Sequence, residues 1–326
     1  MINAVMHDVD IKPGTYVVAV SGGVDSTVLL DLLAKLAKSP QPKVPSNKRT
    51  FSFQLSAKDS TNRFRFVVAH YDHGIREDSK LDRELVQKLA RKYNLPFVYD
   101  QGNLGPKASE ATAREARYAF LNKVKDSVGA QAIITAHHQD DVLETAIINL
   151  LRGTNRKGLS SLQSRTDIVR PLLNIPKREI IKYAKTHKLN WREDSTNQDT
   201  KYLRNHIRCN ILPKFSGAQK AQLLKHIAEL NQTNKKIDNA LVAQFLVQPS
   251  VNELDRRWFI ELSHAVAREV LASWLRQRGL TTVDKKKLEQ LVIAAKTLTK
   301  GKRSDINSRY YMLVEKDKLV LVERDR

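Results

Sequence analysis

Cys209 is the one cysteine in 326 residues. That scarcity excludes an intrachain disulfide and an all-cysteine metal site. Long apolar runs are missing too: none approaches the ~20 residues that a helical membrane span needs. No membrane partner is therefore expected. Met1–Gly14 shows no apolar signal core, so the chain reads as cytoplasmic. Acidic residues are scarce, 35 Asp and Glu against 56 Lys and Arg, leaving a formal charge of +21 and a pI near 10.0. Such an excess favours a polyanionic partner, nucleic acid first. The two common nucleotide loops are also absent: there is no G-x-x-x-x-G-K-[ST], and no G-x-G-x-x-G follows a strand.

What is present is an alternation of short β-branched runs with amphipathic stretches from Thr15 to about Lys188. Runs suited to buried parallel strands are Tyr16–Val20, Phe66–Ala69, Phe97–Tyr99 and Ala132–Ala136, with a fifth near Ile168–Leu172. Helical patterns cover Val24–Lys38, Ser79–Tyr93, Glu110–Val128 and Asp140–Leu151. Another runs from Pro176 to His187, with proline in its first turn. This spacing predicts an α/β fold with a doubly wound, five-stranded parallel sheet covered on both faces. Ligands in such sheets sit at the carboxyl ends of the strands. Residues 39–65 interrupt the pattern as a long, proline-containing basic insertion, with a short hairpin at Thr50–Leu55.

After Pro213 the apolar spacing becomes helical to about residue 300. Tyr310–Val314 and Lys318–Val322 then alternate around Glu315-Lys316-Asp317 and predict a β-hairpin. The expected organisation is a 1–215 catalytic domain and a smaller, mainly helical 216–326 accessory domain that binds RNA. Trp258 and Trp274 read as core residues rather than base-stacking ones.

Three polar clusters follow predicted strands. Ser21-Gly22-Gly23-Val24-Asp25-Ser26 turns the first strand into a helix and presents bare backbone N–H groups to an anion. Gly22 and Gly23 permit close approach, and Ser21 and Ser26 add hydroxyls. Asp25 would repel phosphate, so a magnesium ion or a positive group is expected beside it. His70-Tyr71-Asp72-His73-Gly74-Ile75-Arg76 follows the second strand, beside the first loop, where it could hold adenine, ribose or a metal. Thr135 to Thr145 follows the fourth and contains His137-His138-Gln139-Asp140-Asp141 and Glu144. Asp141 and Glu144 share a helical face. This group could read as a metal site, or its carboxylates could serve a cationic substrate. In the third helix Arg114 and Arg117 share a face suited to a carboxylate or phosphate.

The six-residue loop resembles the pyrophosphate loop of the N-type ATP pyrophosphatases. Taken with Glu110–Tyr118, Arg152-Gly153-Thr154, Arg170–Leu173, Trp191–Asn197 and Tyr202–Arg208, the chain resembles the tRNA(Ile)-lysidine synthases over residues 15 to about 213. The resemblance implies a ligase that forms a carbon–nitrogen bond, with ATP and Mg2+ required. ATP adenylates C2 of the wobble cytidine of an isoleucine tRNA with anticodon CAU. The side-chain amine of free L-lysine then displaces AMP.

By the same resemblance Ser21, Gly22, Gly23, Val24, Asp25, Ser26, His70 and Asp72 hold the nucleotide, with Asp25 on the metal. The resemblance points to Arg117, Asp141 and Glu144 as lysine contacts, and Asp25, His137 and Asp141 are the candidate catalytic residues. Asp141 or His137 is the expected base, since at pH 7 only about one lysine amine in 2,500 is neutral. Arg152, Arg156, Lys157, Arg204 and Arg208 are candidates for tRNA contact. A homodimer stays open.

Other readings fail on composition. A tRNA-thiolating relative needs a cysteine pair or an iron–sulfur cluster, which Cys209 alone cannot supply. A small-molecule adenylating enzyme, such as NAD synthetase or GMP synthetase, does not account for the charge.

Overall fold

The computed structural model describes residues 11–38, 64–74, 79–102, 105, 109–154, 156–193, 200–245, 252–280 and 283–324. Most of the basic insertion, its predicted hairpin, Ile75-Arg76 and Asp194–Asn197 lie outside them.

The chain divides into two compact units, Met1–Ile148 with Ser161–Lys220, and Asn149–Ser160 with Ala221–Arg326. In the first unit, β1 (Gly14–Ala19), β2 (Phe64–Asp72), β3 (Phe97–Gln101), β4 (Ala132–Ile134) and β5 (Ile168–Val169) form a parallel sheet in the order β3-β2-β1-β4-β5. Helices α1 (Val24–Lys38), α2 (Ser79–Tyr93), α3 (Glu110–Ser127), α4 (Gln139–Leu151), α5 (Arg156–Leu159), α6 (Lys177–Thr186) and α7 (Leu203–His206) follow in chain order, α5 and the last residues of α4 belonging to the second unit. The expected five-stranded doubly wound sheet is therefore present, with strand ends shifted by a few residues. Pro176 is a correction: it stands at the N-cap of α6, just before the helix, where its fixed φ suits the entry.

Period-two alternation builds both faces of the sheet. Tyr16, Val18 and Val20 pack with Leu29, Leu33, Val86 and Ile180, while Val17 packs with Phe120, Leu121 and Val124 of α3. A fully buried aliphatic side chain contributes ~1.5–3 kcal/mol relative to exposure.

A polar bolt runs through the first of these layers. Asp31 of α1 is buried; Tyr93 and Tyr183 each donate a hydroxyl to its carboxylate at 2.7 Å, and Lys35 lies at 2.8 Å. Burial alone would raise the Asp31 carboxyl, but the bonds from Lys35, Tyr93 and Tyr183 outweigh it and hold it below the usual range. Asp31→Ala should cost about 2–4 kcal/mol, because two tyrosine hydroxyls lose their acceptor. The urea midpoint should fall at unchanged m; a midpoint within experimental error of wild type would show the bolt to be idle.

The second unit holds most of α8 (Gly217–Phe245), then β6 (Glu253–Asp255), α9 (Arg256–Glu261), α10 (His264–Gln277), α11 (Lys285–Thr297), β7 (Lys302–Asp305), β8 (Tyr310–Val314) and β9 (Lys318–Glu323). The β8–β9 hairpin forms at the predicted place, but inside a four-stranded antiparallel sheet ordered β6-β9-β8-β7. Trp274 is 1% exposed, and its indole N–H reaches the Glu253 carbonyl at 3.2 Å.

The linear boundary near residue 215 also missed one exchange. Asn149–Ser160 belongs to the second unit because its polar groups are satisfied there. Asn234 bonds Ser160 Oγ at 3.0 Å and the Arg156 carbonyl at 3.2 Å.

Candidate active site

Strand order reverses between β1 and β4, and the crevice at such a switch point is where open α/β sheets take ligands. A cavity of about 390 Å³ lies there. Residues following β1 (Ser21, Asp25, Ser26) and β4 (His137, Asp141) line it together with His70 and Asp72 at the end of β2 and Arg117 of α3. The three polar clusters thus meet around one hollow, although they are far apart in sequence.

The first loop is braced by its own hydroxyls. Ser26 Oγ donates to the Gly23 carbonyl at 3.0 Å and accepts from the Ser21 N–H at 3.2 Å. Gly22 sits at φ +94°, a conformation that L side chains rarely adopt, and its carbonyl accepts from the Arg192 N–H at 3.0 Å. Gly23 meets only Ser21 Oγ, at 3.6 Å from an ideal Cβ, so the loop there stays open.

The positive group expected beside Asp25 is Lys177, at the first turn of α6. Its ammonium is 2.7 Å from both carboxylate oxygens. Asp25 also faces His138. The Asp140 N–H donates to His138 Nδ1 at 3.3 Å, which leaves the proton on Nε2. That nitrogen lies 3.7 Å from Asp25 and 3.5 Å from Asp141. His138 therefore joins the phosphate loop to the α4 cluster. Neither Lys177 nor His138 stood among the predicted site residues. The doubled histidine could have pointed to the second; Lys177 is 152 residues from its partner and carries no local signal.

Asp141 caps its own helix by accepting the His138 N–H at 2.9 Å, and Arg208 approaches it at 3.4 Å. Burial would raise its carboxyl, but His138, His137 and Arg208 outweigh burial and lower it. Glu144 does not line the cavity. It is fully buried and held by Arg208 at 2.7 and 3.0 Å and by Arg204 at 3.4 Å; burial raises its carboxyl despite these partners. Arg204 and Arg208, predicted as tRNA contacts, are thus engaged with acidic side chains of this site, Arg204 also reaching Glu110 at 3.1 Å. Arg156 and Lys157 are engaged inside the second unit with Asp238, and Arg152 is exposed.

Buried His70 donates through Nδ1 to the Val20 carbonyl at 2.8 Å, leaving Nε2 as a buried acceptor without a hydrogen-bond partner. Burial lowers its pKa, so the ring is neutral at pH 7. Asp72 accepts from the Gly74 N–H and from Ser79 Oγ at 2.9 and 2.8 Å, closing the turn that carries it. Arg117 stacks against Tyr118 and lines the cavity; Arg114, its expected companion, is exposed.

The His137 Nδ1 lies 2.8 Å from Thr135 Oγ1, and burial pushes the pKa of the ring down to about 3. Burial thus disfavours the protonated ring, and Thr135 fixes the orientation of its Nδ1 edge.

The shift has a thermodynamic sign. Below an unfolded value of 6.5 the unfolded chain binds a proton that the folded site refuses. Stability is then lost as pH falls from 6.5 toward 3, by at most ~4–5 kcal/mol; above that window His137 contributes nothing. His137→Asn should flatten the stability–pH curve between pH 6.5 and 4, with His70 leaving a residual slope. An unflattened curve from urea unfolding would contradict the assignment.

A strand, a glycine-bearing phosphate loop and a helix at the switch point of a parallel sheet define a PP-loop domain, and the chain belongs to that family, whose profile matches residues 2–215. Among curated proteins it is similar to the tRNA(Ile)-lysidine synthases. That of Thermotoga maritima is 37% identical over 203 residues, covering 60% of this chain and 44% of that protein. The one from Nitrosomonas europaea is 33% identical over 297 residues, 86% and 59% respectively. The chain thus spans about half the length of the curated relatives it matches. Among solved structures, the U34-tRNA thiolase NcsA from Methanococcus maripaludis, with its [4Fe-4S] cluster, aligns with a TM-score of 0.52 at 17% identity, covering 70% of this chain and 77% of that one. That likeness concerns the fold. No described helix is long and apolar enough to cross a membrane.

Proposed function

We propose that the chain forms lysidine on an isoleucine tRNA with anticodon CAU. ATP is the nucleotide and free L-lysine the amine donor. In the first step C2–O2 of the wobble cytidine attacks the α-phosphorus and pyrophosphate leaves. In the second, the lysine side-chain nitrogen bonds to C2, the C2–O bond breaks, and AMP departs with that oxygen while the nitrogen loses its proton. The single observation that carries this reading is that the phosphate loop, Arg117 and Asp141 line one cavity.

Residue roles follow from chemistry. The N–H groups and hydroxyls of Ser21 to Ser26 hold phosphate, and His70 Nε2 accepts from an exocyclic amine of adenine. Asp72 borders the nucleotide pocket. Arg117 takes the α-carboxylate of lysine. The ammonium goes to Asp141, in the place that Arg208 approaches at 3.4 Å, with Glu144 behind. Deprotonation is a hurdle of roughly 4–5 kcal/mol. Asp141 or His137, which line the cavity, takes the proton, with desolvation of the amine carrying part of the cost.

Magnesium fits as part of the nucleotide. Among the described residues no group of three His, Cys, Asp or Glu is placed to hold a metal. Asp25 offers one carboxylate, and Mg2+ ordinarily fills its coordination with water and phosphate oxygens. It would neutralise charge on the phosphates there.

The decisive test is incubation with radiolabelled lysine, ATP and the tRNA transcript, followed by nucleoside analysis. Labelled lysidine is expected; its absence alongside intact ATP–pyrophosphate exchange would overturn the substrate assignment. Binding of the same tRNA should weaken steeply with salt, since Lys and Arg displace counterions from phosphates. Affinity unchanged between 50 and 200 mM salt, a range over which about 10³–10⁵-fold is typical for extensive contacts, would remove the basic surface from the docking face.

A further inference from the structure

The second unit contains a cavity of its own, about 140 Å³, with Arg156, Lys157, Arg276, Lys285 and one carboxylate, Glu269, in its wall. Its floor is apolar, from Leu275 and Leu288. Two carboxylates stand near these four cations, and both are already engaged. Arg156 donates to Asp238 at 3.1 Å and Glu269 at 2.9 Å, and Lys157 takes the other oxygen of Asp238 at 2.6 Å.

Arg276 is left over. Its Nη2 is buried and has no hydrogen-bond partner. Asp238 and Glu269 act on this guanidinium electrostatically without bonding Nη2, and burial still lowers its pKa, so an anion that bonded Nη2 would offset desolvation. Lys285, exposed in the first turn of α11, adds charge at the rim. The space equals roughly four or five waters at ~30 Å³ each, enough for a tetrahedral oxyanion.

We propose that this cavity binds a phosphate group, taken in bidentate fashion by Arg276 with Lys285 at the rim. The shared chemistry has two sources, a backbone phosphate of bound RNA or free inorganic phosphate. The RNA source rests on the function proposed above; the anion site itself does not.

The test compares wild type with Arg276→Gln and Lys285→Gln. Calorimetric titration with inorganic phosphate should lose one bound equivalent in Arg276→Gln and weaken severalfold at that site in Lys285→Gln. The melting temperature of Arg276→Gln should hold or rise without phosphate, since a buried N–H group without a hydrogen-bond partner has gone. If RNA is the source, filter binding of the tRNA transcript should show a log–log salt slope smaller by about one in Arg276→Gln. If the source is free phosphate, the equivalent is lost and the slope stays. ATP–pyrophosphate exchange should remain at the wild-type rate in both variants, which separates failure here from failure of the proposed reaction. Phosphate stoichiometry and salt slope unchanged in both variants would overturn the site. So would destabilised Arg276→Gln that still binds every equivalent.

Discussion

Asp141→Asn should release pyrophosphate at close to the wild-type rate while lysine transfer to tRNA falls about 10²–10³-fold, the usual cost of removing one preorganised electrostatic partner. The asymmetry follows from position. Asp141 lies outside the phosphate loop, and His138 stands between the two, 3.5 Å from Asp141 and 3.7 Å from Asp25. Asparagine can still accept the His138 N–H that Asp141 accepts at 2.9 Å, so the start of α4 keeps its cap. What it loses is the charge that would meet an ammonium. Labelled pyrophosphate release and labelled lysine incorporation, measured on the same transcript, separate the two steps. Survival of both would remove Asp141 from lysine handling.

Glu144→Gln is the less clean companion. Glu144 is fully buried against Arg208, and breaking such a pair leaves a guanidinium without its counter-charge. A fall in stability is expected there together with any fall in lysine transfer.

The parts of this molecule that were legible in sequence are those fixed by local rules. β-branched runs followed by 3.6-periodic stretches placed all five parallel strands, and Val24–Lys38 and Ser79–Tyr93 matched to the residue. Period-two alternation found the β8–β9 hairpin. It did not find β7, because Lys302–Asp305 is an edge strand of polar residues held by backbone pairing to β8. No side-chain pattern announces such a strand. The clusters that line the cavity were visible because polar residues after buried strands have no packing reason to be there. Their occupancy was not. That Arg208 sits on Glu144, 64 residues earlier in the chain, is a tertiary fact. So is the burial that lowers the His137 pKa, although the residue stands at the predicted strand end.

The other large effect belongs to Lys177, which sequence alone left unmarked. Lys177→Met should depress ATP–pyrophosphate exchange by about 10²–10³-fold, with the Michaelis constant for ATP raised. Unfolding is not the cause expected: side-chain exposures of 33% for Lys177 and 27% for Asp25 describe a partly solvated pair, worth about 0–1 kcal/mol to stability. The reason is electrostatic. Asp25 stands in a loop built to receive phosphate, and its charge opposes that ligand unless a cation neutralises it. Lys177, 2.7 Å from both oxygens, does so before the nucleotide arrives. Asp25 would hold magnesium, which would neutralise phosphate charge there, and Lys177 would share that task. The two residues should then act as one unit, and a double-mutant cycle tests that directly. Asp25→Asn alone should be severely impaired, and adding Lys177→Met should cost far less than it does in the wild-type background. Wild-type exchange in Lys177→Met, or strictly additive losses in the cycle, would leave the pair a surface ion pair and return the loop's charge balance to magnesium alone.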